Sequence, residues 1–330
     1  MDDAVTRLTQ ALATVADPDG GDIVSSGRAQ APRVRDGVAS LILDVTGLSA
    51  NDRALLERRV RAATIALPGI SDTRIMMNAD KVERRIIAVG SGKGGVGKST
   101  VSANLAVALA RAGHRVGLVD ADIYGPSQPR ILGNQDRPEL ADKQIVPVDA
   151  WGIKMLSIGQ LVDPGAALAW RGPMVASALT QLMDGDWGDR EYLVIDLPPG
   201  TGDIQMTLIQ KYKPAGAVIV STPQDLALID ATRAIDLFRK MDVPILGLIE
   251  NMAGYACPHC GEISDPFGAG GAEAAARVME IPFLGRIPLT LSIRQASDAG
   301  RPPAAGDDDE AALFGVIAGR LLAGMNRTAA

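Results

Sequence analysis

The stretch GSGKGGVGKST, residues 90–100, constrains the fold of this chain more than any other. It follows the apolar run IIAVG (86–90) and leads into helical spacing over Thr100–Arg111. Gly92, Gly97, Lys98 and Ser99 satisfy the pattern G-x-x-x-x-G-K-[ST]. Glycines let the backbone wrap so that its N–H groups converge on phosphate oxygens at the positive end of the following helix. Gly92, Lys93, Gly94, Gly95, Val96, Gly97, Lys98, Ser99 and Thr100 together form the expected cradle. In it Lys98 suits the β- and γ-phosphates and Ser99 suits Mg²⁺. A strand before and a helix after separate this from a merely glycine-rich turn, so the loop predicts a nucleotide site.

Four further apolar runs, VGLVD (116–120), YLVID (192–196), AVIVS (217–221) and PILGLIE (244–250), end in polar residues and alternate with helical patterns. Such runs are those of a mostly parallel, doubly wound sheet covered on both faces, with its functional groups at the carboxyl ends of the strands. Asp120 and Asp122 fall at the end of the second run and, two residues apart, are expected on one side of an extended segment facing the phosphate loop. Asp196 follows an apolar strand, the arrangement of an acid that holds Mg²⁺ through water, and LPPGTGD behind it suits a loop that senses a γ-phosphate. Asn251 ends the fifth run.

The fold expected is therefore α/β, a doubly wound P-loop NTPase domain over 81–330 preceded by a small α/β domain over 1–80. In the small domain the spacing predicts a helix over Asp3–Val15, a strand over Gly37–Val45, a helix capped by Ser49 and running to Ala66, and a strand over Thr73–Met77. Asn78–Arg84 is the expected linker. An apolar-periodic helix follows the acidic Asp307–Glu310.

Hydrophobic residues at 47% and charged residues at 22% describe an ordinary globular protein. A net charge of −6 and 3% aromatic residues argue against nucleic-acid binding, and no apolar run approaches the roughly 20 residues of a membrane span. The acidic N-terminus MDDAVTRLTQ predicts no secretory signal, and two cysteines in 330 residues predict a reducing, cytoplasmic setting.

Those cysteines, Cys257 and Cys260, lie in GYACPHCGEISDPFG. Tetrahedral zinc and cubane iron–sulfur sites ordinarily take four protein ligands, so the pair is half a site. A thioredoxin-like redox pair requires the first cysteine at a helix N-terminus, which the glycines and proline after Cys260 disfavour. Zinc shared between two copies stays open. His114 and His259 look structural.

Lys93 extends the phosphate loop to K-G-G-x-G-K-S, which resembles the deviant Walker A motif of the MinD and ParA class of ATPases. That resemblance implies that Lys93 reaches across a nucleotide-sandwich dimer to the partner's phosphates. It also implies that Asp122 orients the attacking water, that Asp120 supports the phosphate loop or the Mg²⁺ shell, and that Asn251 hydrogen-bonds adenine. DADIYGPSQPRILG, DLPPGTGDIQMTL, STPQDLALIDATRA and NMAGYACPHCGE together resemble the Mrp/ApbC family of iron–sulfur cluster carrier ATPases, over roughly residues 84–302. The family implies ATP hydrolysis with Mg²⁺, a homodimer, and one [4Fe–4S] cluster held by two copies of Cys257 and Cys260. It further implies a cluster donor and recipient apoproteins, without nucleic acid or membrane. The small domain resembles an iron–sulfur assembly module, but VTGLSANDR lacks the cysteine its relatives often carry between strand and helix. A spatial-regulator ATPase with structural zinc or an idle CxxC is the alternative; it would be expected to add a basic tail or patch, which this chain lacks.

Overall fold

Apolar runs with β-branched residues and glycine-rich turns give this chain two compact units, one over 1–83, 141–143 and 186–190 and the other over the remainder. The computed structural model describes residues 3–48, 50–79, 83–141, 144–161, 172–257 and 259–328. Ser49, the expected cap, and residues 80–82 of the expected linker lie outside them.

The first unit holds α1 (Asp3–Leu12), β1 (Ala29–Arg35), β2 (Val38–Asp44), α2 (Ala50–Ile65) and β3 (Asp72–Asn78). β2 is central, antiparallel to β1 and parallel to β3. Its alternating residues Ala39, Leu41 and Leu43 face inward against Leu8, Leu12, Leu56 and Val60. α1 ends three residues short of the expected Val15, because Thr14 and Val15 donate to carbonyls three residues back and tighten the last turn. The sequence reading missed β1: four of its seven residues are exposed, two of them arginines, as suits an edge strand.

The second unit runs β4 (Arg85–Gly90), α3 (Lys98–Arg111), β5 (Val116–Asp120), α4 (Gln128–Ile131), β6 (Glu139–Ala141), β7 (Gln144–Val146), β8 (Val148–Ala150) and β9 (Ile153–Ser157). It continues through α5 (Gly172–Met183), β10 (Tyr192–Asp196), α6 (Asp203–Tyr212), β11 (Gly216–Ser221), α7 (Asp225–Lys240) and β12 (Ile245–Ala256). It closes with β13 (Ile263–Ser264), α8 (Gly271–Val278), β14 (Phe283–Leu289), α9 (Leu291–Asp298) and α10 (Asp309–Thr328). The main sheet has the order β13-β12-β11-β4-β10-β5-β9-β8, with β14 also paired to β12. All its pairings are parallel except those of the short outer strands β8 and β13.

β4 is near the centre, so the phosphate loop leaves the sheet where the strand order reverses, between the ends of β11 and β10. α3 behind it is buried on nearly every face, packed between the sheet and Phe314, Ile317 and Leu321 of α10. Gly92 is obligatory by close approach: a Cβ there would lie 2.1 Å from the Asp230 carbonyl carbon of α7. Asn251 does not end its strand, as the sequence reading had it. β12 continues five residues further, because β13 folds back and pairs with Tyr255 and Ala256. No helix among the described residues is long and apolar enough to cross a membrane.

Candidate functional site

The phosphate loop turns into α3 at Gly97, whose φ of +80° only glycine adopts freely and which gives the helix no side-chain cap. The first N–H groups of α3 thus have no side-chain acceptor at the cap, an arrangement that favours an anion. The loop forms one wall of a cleft of about 810 Å³. Opposite walls come from Asp122 and Arg130, from Asn251, Met252 and Tyr255 on β12, and from Pro288 through Asp298.

Inside it, Lys98 is buried, with Nζ 2.6 Å from Asp196 Oδ1 and 3.6 Å from Asp122 Oδ2. Ser102, one turn along α3 from Lys98, donates to the same Asp196 oxygen at 3.0 Å. Asp196 Oδ2 accepts from Gln128 Nε2 at 2.8 Å, and that amide also donates to the Ser99 carbonyl at 3.0 Å. Asp122 Oδ1 accepts the N–H groups of Tyr124 and Gly125, which tethers it within its own loop.

Asp120 departs from the sequence reading, which put it beside Asp122 facing the phosphate loop. β5 ends at Asp120, so the two-residue alternation of a strand no longer holds beyond it. Its Oδ2 instead accepts from Ser127 N, Gln128 N and Ser157 Oγ, at 3.0, 3.1 and 2.8 Å. Asp120 therefore braces the loop that carries Asp122. Burial, and then the nearby Asp196 charge, push its carboxyl up to about 7, against the pull of the Gln128 N–H and the Ser157 hydroxyl.

Lys93 Nζ reaches Gln224 Oε1 at 3.3 Å, at the start of α7. Asn251 Nδ2 donates to the Val96 carbonyl at 2.8 Å, which locks β12 onto the phosphate loop. Gly94, Gly95 and Thr100 line the cleft as expected of the cradle. Sequence reasoning missed Gln128, Ser102, Met252, Tyr255 and Arg130. Only Ser102 carried a signal, its i, i+4 spacing from Lys98.

Cys257 and Cys260 do not join the cleft. They form the tip of the β12–β13 hairpin, closed by Cys257 N to the Glu262 carbonyl at 2.9 Å and Gly261 N to the Cys257 carbonyl at 2.8 Å. The N–H groups of Cys260 and His259, together with the Cys260 thiol, hold the Cys257 thiol below its usual range. The described residues after Cys260 form a turn and β13, not the helix a redox pair requires. Cys260 is exposed, and no group of three or more metal-binding side chains occurs among the described residues.

A phosphate loop at the centre of a parallel sheet, facing carboxylates at the end of β10 and just beyond β5, marks a P-loop NTPase with the fold of MinD and ParA. The cell division ATPase MinD of Pyrococcus furiosus shares the fold, with a TM-score of 0.55 at 25% identity over 73% of this chain and 99% of its own. The nucleotide-binding protein of Archaeoglobus fulgidus, solved in complex with ADP, gives 0.58 at 42% identity over 66% of this chain and 86% of its own. The iron–sulfur cluster carrier protein of Deinococcus radiodurans is 44% identical over 315 residues, 92% of this chain and 89% of its own. Residues 82–321 match the family described as NUBPL iron-transfer P-loop NTPase, and residues 6–77 match an iron–sulfur cluster assembly protein family. The chain belongs to the NUBPL iron-transfer P-loop NTPase family.

Proposed function

We propose that this protein is a cytoplasmic ATPase that carries an iron–sulfur cluster, with one [4Fe–4S] cargo held between two subunits and handed to recipient apoproteins after loading from a donor. The observation that carries this reading is the cysteine pair. It is half a set of thiol ligands at a hairpin tip, half-buried at Cys257 and exposed at Cys260, directly after the strand that enters the nucleotide cleft. Two copies supply the four thiolates that a cubane requires.

In the ATPase cycle the Lys98 ammonium moves from Asp196 to the β- and γ-phosphates as these enter the cradle. The N–H groups of Gly92–Gly97 and of the first turn of α3 hold the phosphate oxygens, with Thr100 at the inner end. Asn251 contacts the base. Asp122 orients the attacking water, and Lys93 of one subunit leaves Gln224 to place its charge on the phosphates bound by the other. Ser99 and Asp196 supply the hard oxygen donors that fit Mg²⁺, which when bound neutralises phosphate charge. Asp120 and Gln128 keep the Asp122 loop in register with Ser99 and Asp196.

The test is anaerobic reconstitution with iron and sulfide, followed by iron counting, absorption spectra and sizing. About four irons per dimer, lost in Cys257→Ala and in Cys260→Ala, is the expected result. A dimer that holds one zinc, or takes up no iron at all, would sink the carrier reading and favour a spatial regulator.

A further inference from the structure

β12 changes character between its two functional ends. Asn251 pairs with Ile287 of β14 and Tyr255 with Leu289, so Met252, Ala253 and Gly254 oppose only Pro288. Proline has no N–H to give the ladder, and the strand bulges there. Met252 has a φ of +59° and Gly254 of +77°. A glycine enters that region freely, whereas a methionine stays there only when its surroundings hold it. β12 is thus two arms joined at a bend. The inner arm, Ile245–Asn251, is fixed between β11 and β14; the outer arm, Tyr255–Ala256, belongs to the cysteine hairpin.

Among the described non-glycine residues with positive φ, only Met252 lines the nucleotide cleft. Its Cε reaches the phosphate loop: a Cβ on Gly97 would lie 3.7 Å from it, and 2.1 Å from Asn251 Nδ2. The Met252 side chain therefore ends beside the glycine that immediately precedes Lys98.

We infer that Met252 is a positioning residue that transmits occupancy of the phosphate loop to Cys257 and Cys260. The inference depends on the carrier reading only for what those thiols hold; its mechanics require just the bend. Energetic coupling needs an element with two arrangements that both sites bias. Phosphate binding draws on the loop at Gly97, the Met252 methyl follows that surface, and the left-handed Met252 backbone converts the shift into rotation of the outer arm. The hairpin whose Cys257 lies five residues on then changes the exposure and separation of its sulfurs.

The experiment uses the full chain, reduced and metal-free, with alkylation of Cys257 and Cys260 by iodoacetamide followed by mass spectrometry. Rates are compared with and without Mg–ATP at a concentration saturating for each variant, on species of one oligomeric state by sizing. In the wild type, ATP is expected to change the alkylation rate about fivefold or more, the lower end of ordinary site-to-site coupling. Met252→Gly, which relaxes the bend and removes the methyl from Gly97, should react at one rate with and without ATP. Met252→Leu, which keeps an apolar body on a constrained backbone, should retain the response. A glycine variant that responds like the wild type, or a wild type that does not respond, overturns the inference. Iron counting separates the two readings. A chain that takes up no iron but keeps the ATP response loses the carrier reading and keeps the coupling. A chain that binds iron with no ATP response does the reverse.

Discussion

Asp120 accepts four hydrogen bonds, yet its carboxyl is pushed up to about 7. The unfolded chain releases this proton near the usual 3.8, so between roughly pH 4 and 7 the folded state binds more protons than the unfolded one. The stability that Asp120 contributes is therefore complete below that range and lost as the pH rises through 7. Asp22 and Asp44 act in the opposite sense, held low by hydroxyl hydrogen bonds from Ser25 and Thr46, but they cancel when a variant is compared with the wild type. Asp120→Asn should cost more stability at pH 5 than at pH 8, the gap being on the order of a few kcal/mol. Thermal midpoints at the two pH values check this, and equal costs would refute it. Gly97→Ala is the sharper lesion. Its Cβ would overlap Asn251 Nδ2 in a left-handed backbone, so a loss of about 1–3 kcal/mol is expected. ATP affinity should fall at least tenfold with it, read by calorimetry, since the same backbone is the proposed phosphate cradle.

At the scale of elements, the helix that presents the phosphate loop is held from behind by the C-terminal helix. Phe314 of α10 is buried to 1% exposure in the cluster that contains Leu105 and Leu109 of α3. Phe314→Ala should lower stability by about 3–5 kcal/mol, measured by denaturant unfolding. An effect under about 1 kcal/mol would show that this packing is not what fixes α3. In the second unit the legible strands were those buried on both faces: VGLVD and YLVID became β5 and β10 with the expected bounds. In the first, β2 was legible from its alternation. Several strands that carry charges or breakers were not. β9 includes Lys154, and β14 is interrupted by Gly285, Arg286 and Pro288. The phosphate loop and its opposing acids could be read because their spacing along the chain is itself the chemical requirement. Gln128 and Met252 could not. Their roles depend on which loop crosses which strand end, and periodicity carries no trace of that.

For the whole molecule, Lys93 is the residue proposed to act outside its own subunit. Within one chain it touches Gln224, not the cleft carboxylates that hold Lys98. Lys93→Ala should slow ATP hydrolysis roughly 100-fold or more, as loss of a charge supplied in trans does, with a much smaller fall in ATP affinity. Unimpaired turnover would return Lys93 to the role of a plain loop lysine. The position of the cysteines has a further consequence. Their hairpin is closed by two residue pairs, Tyr255 with Ser264 and Ala256 with Ile263, and joined to β14 through Tyr255 and Leu289, at the outer edge of the nine-stranded sheet. On the proposed reading, the thiols that hold the cargo stand at the rim of the sheet, apart from the phosphate loop at its centre. A change confined to that one strand end could then alter what is carried while leaving the phosphate loop untouched.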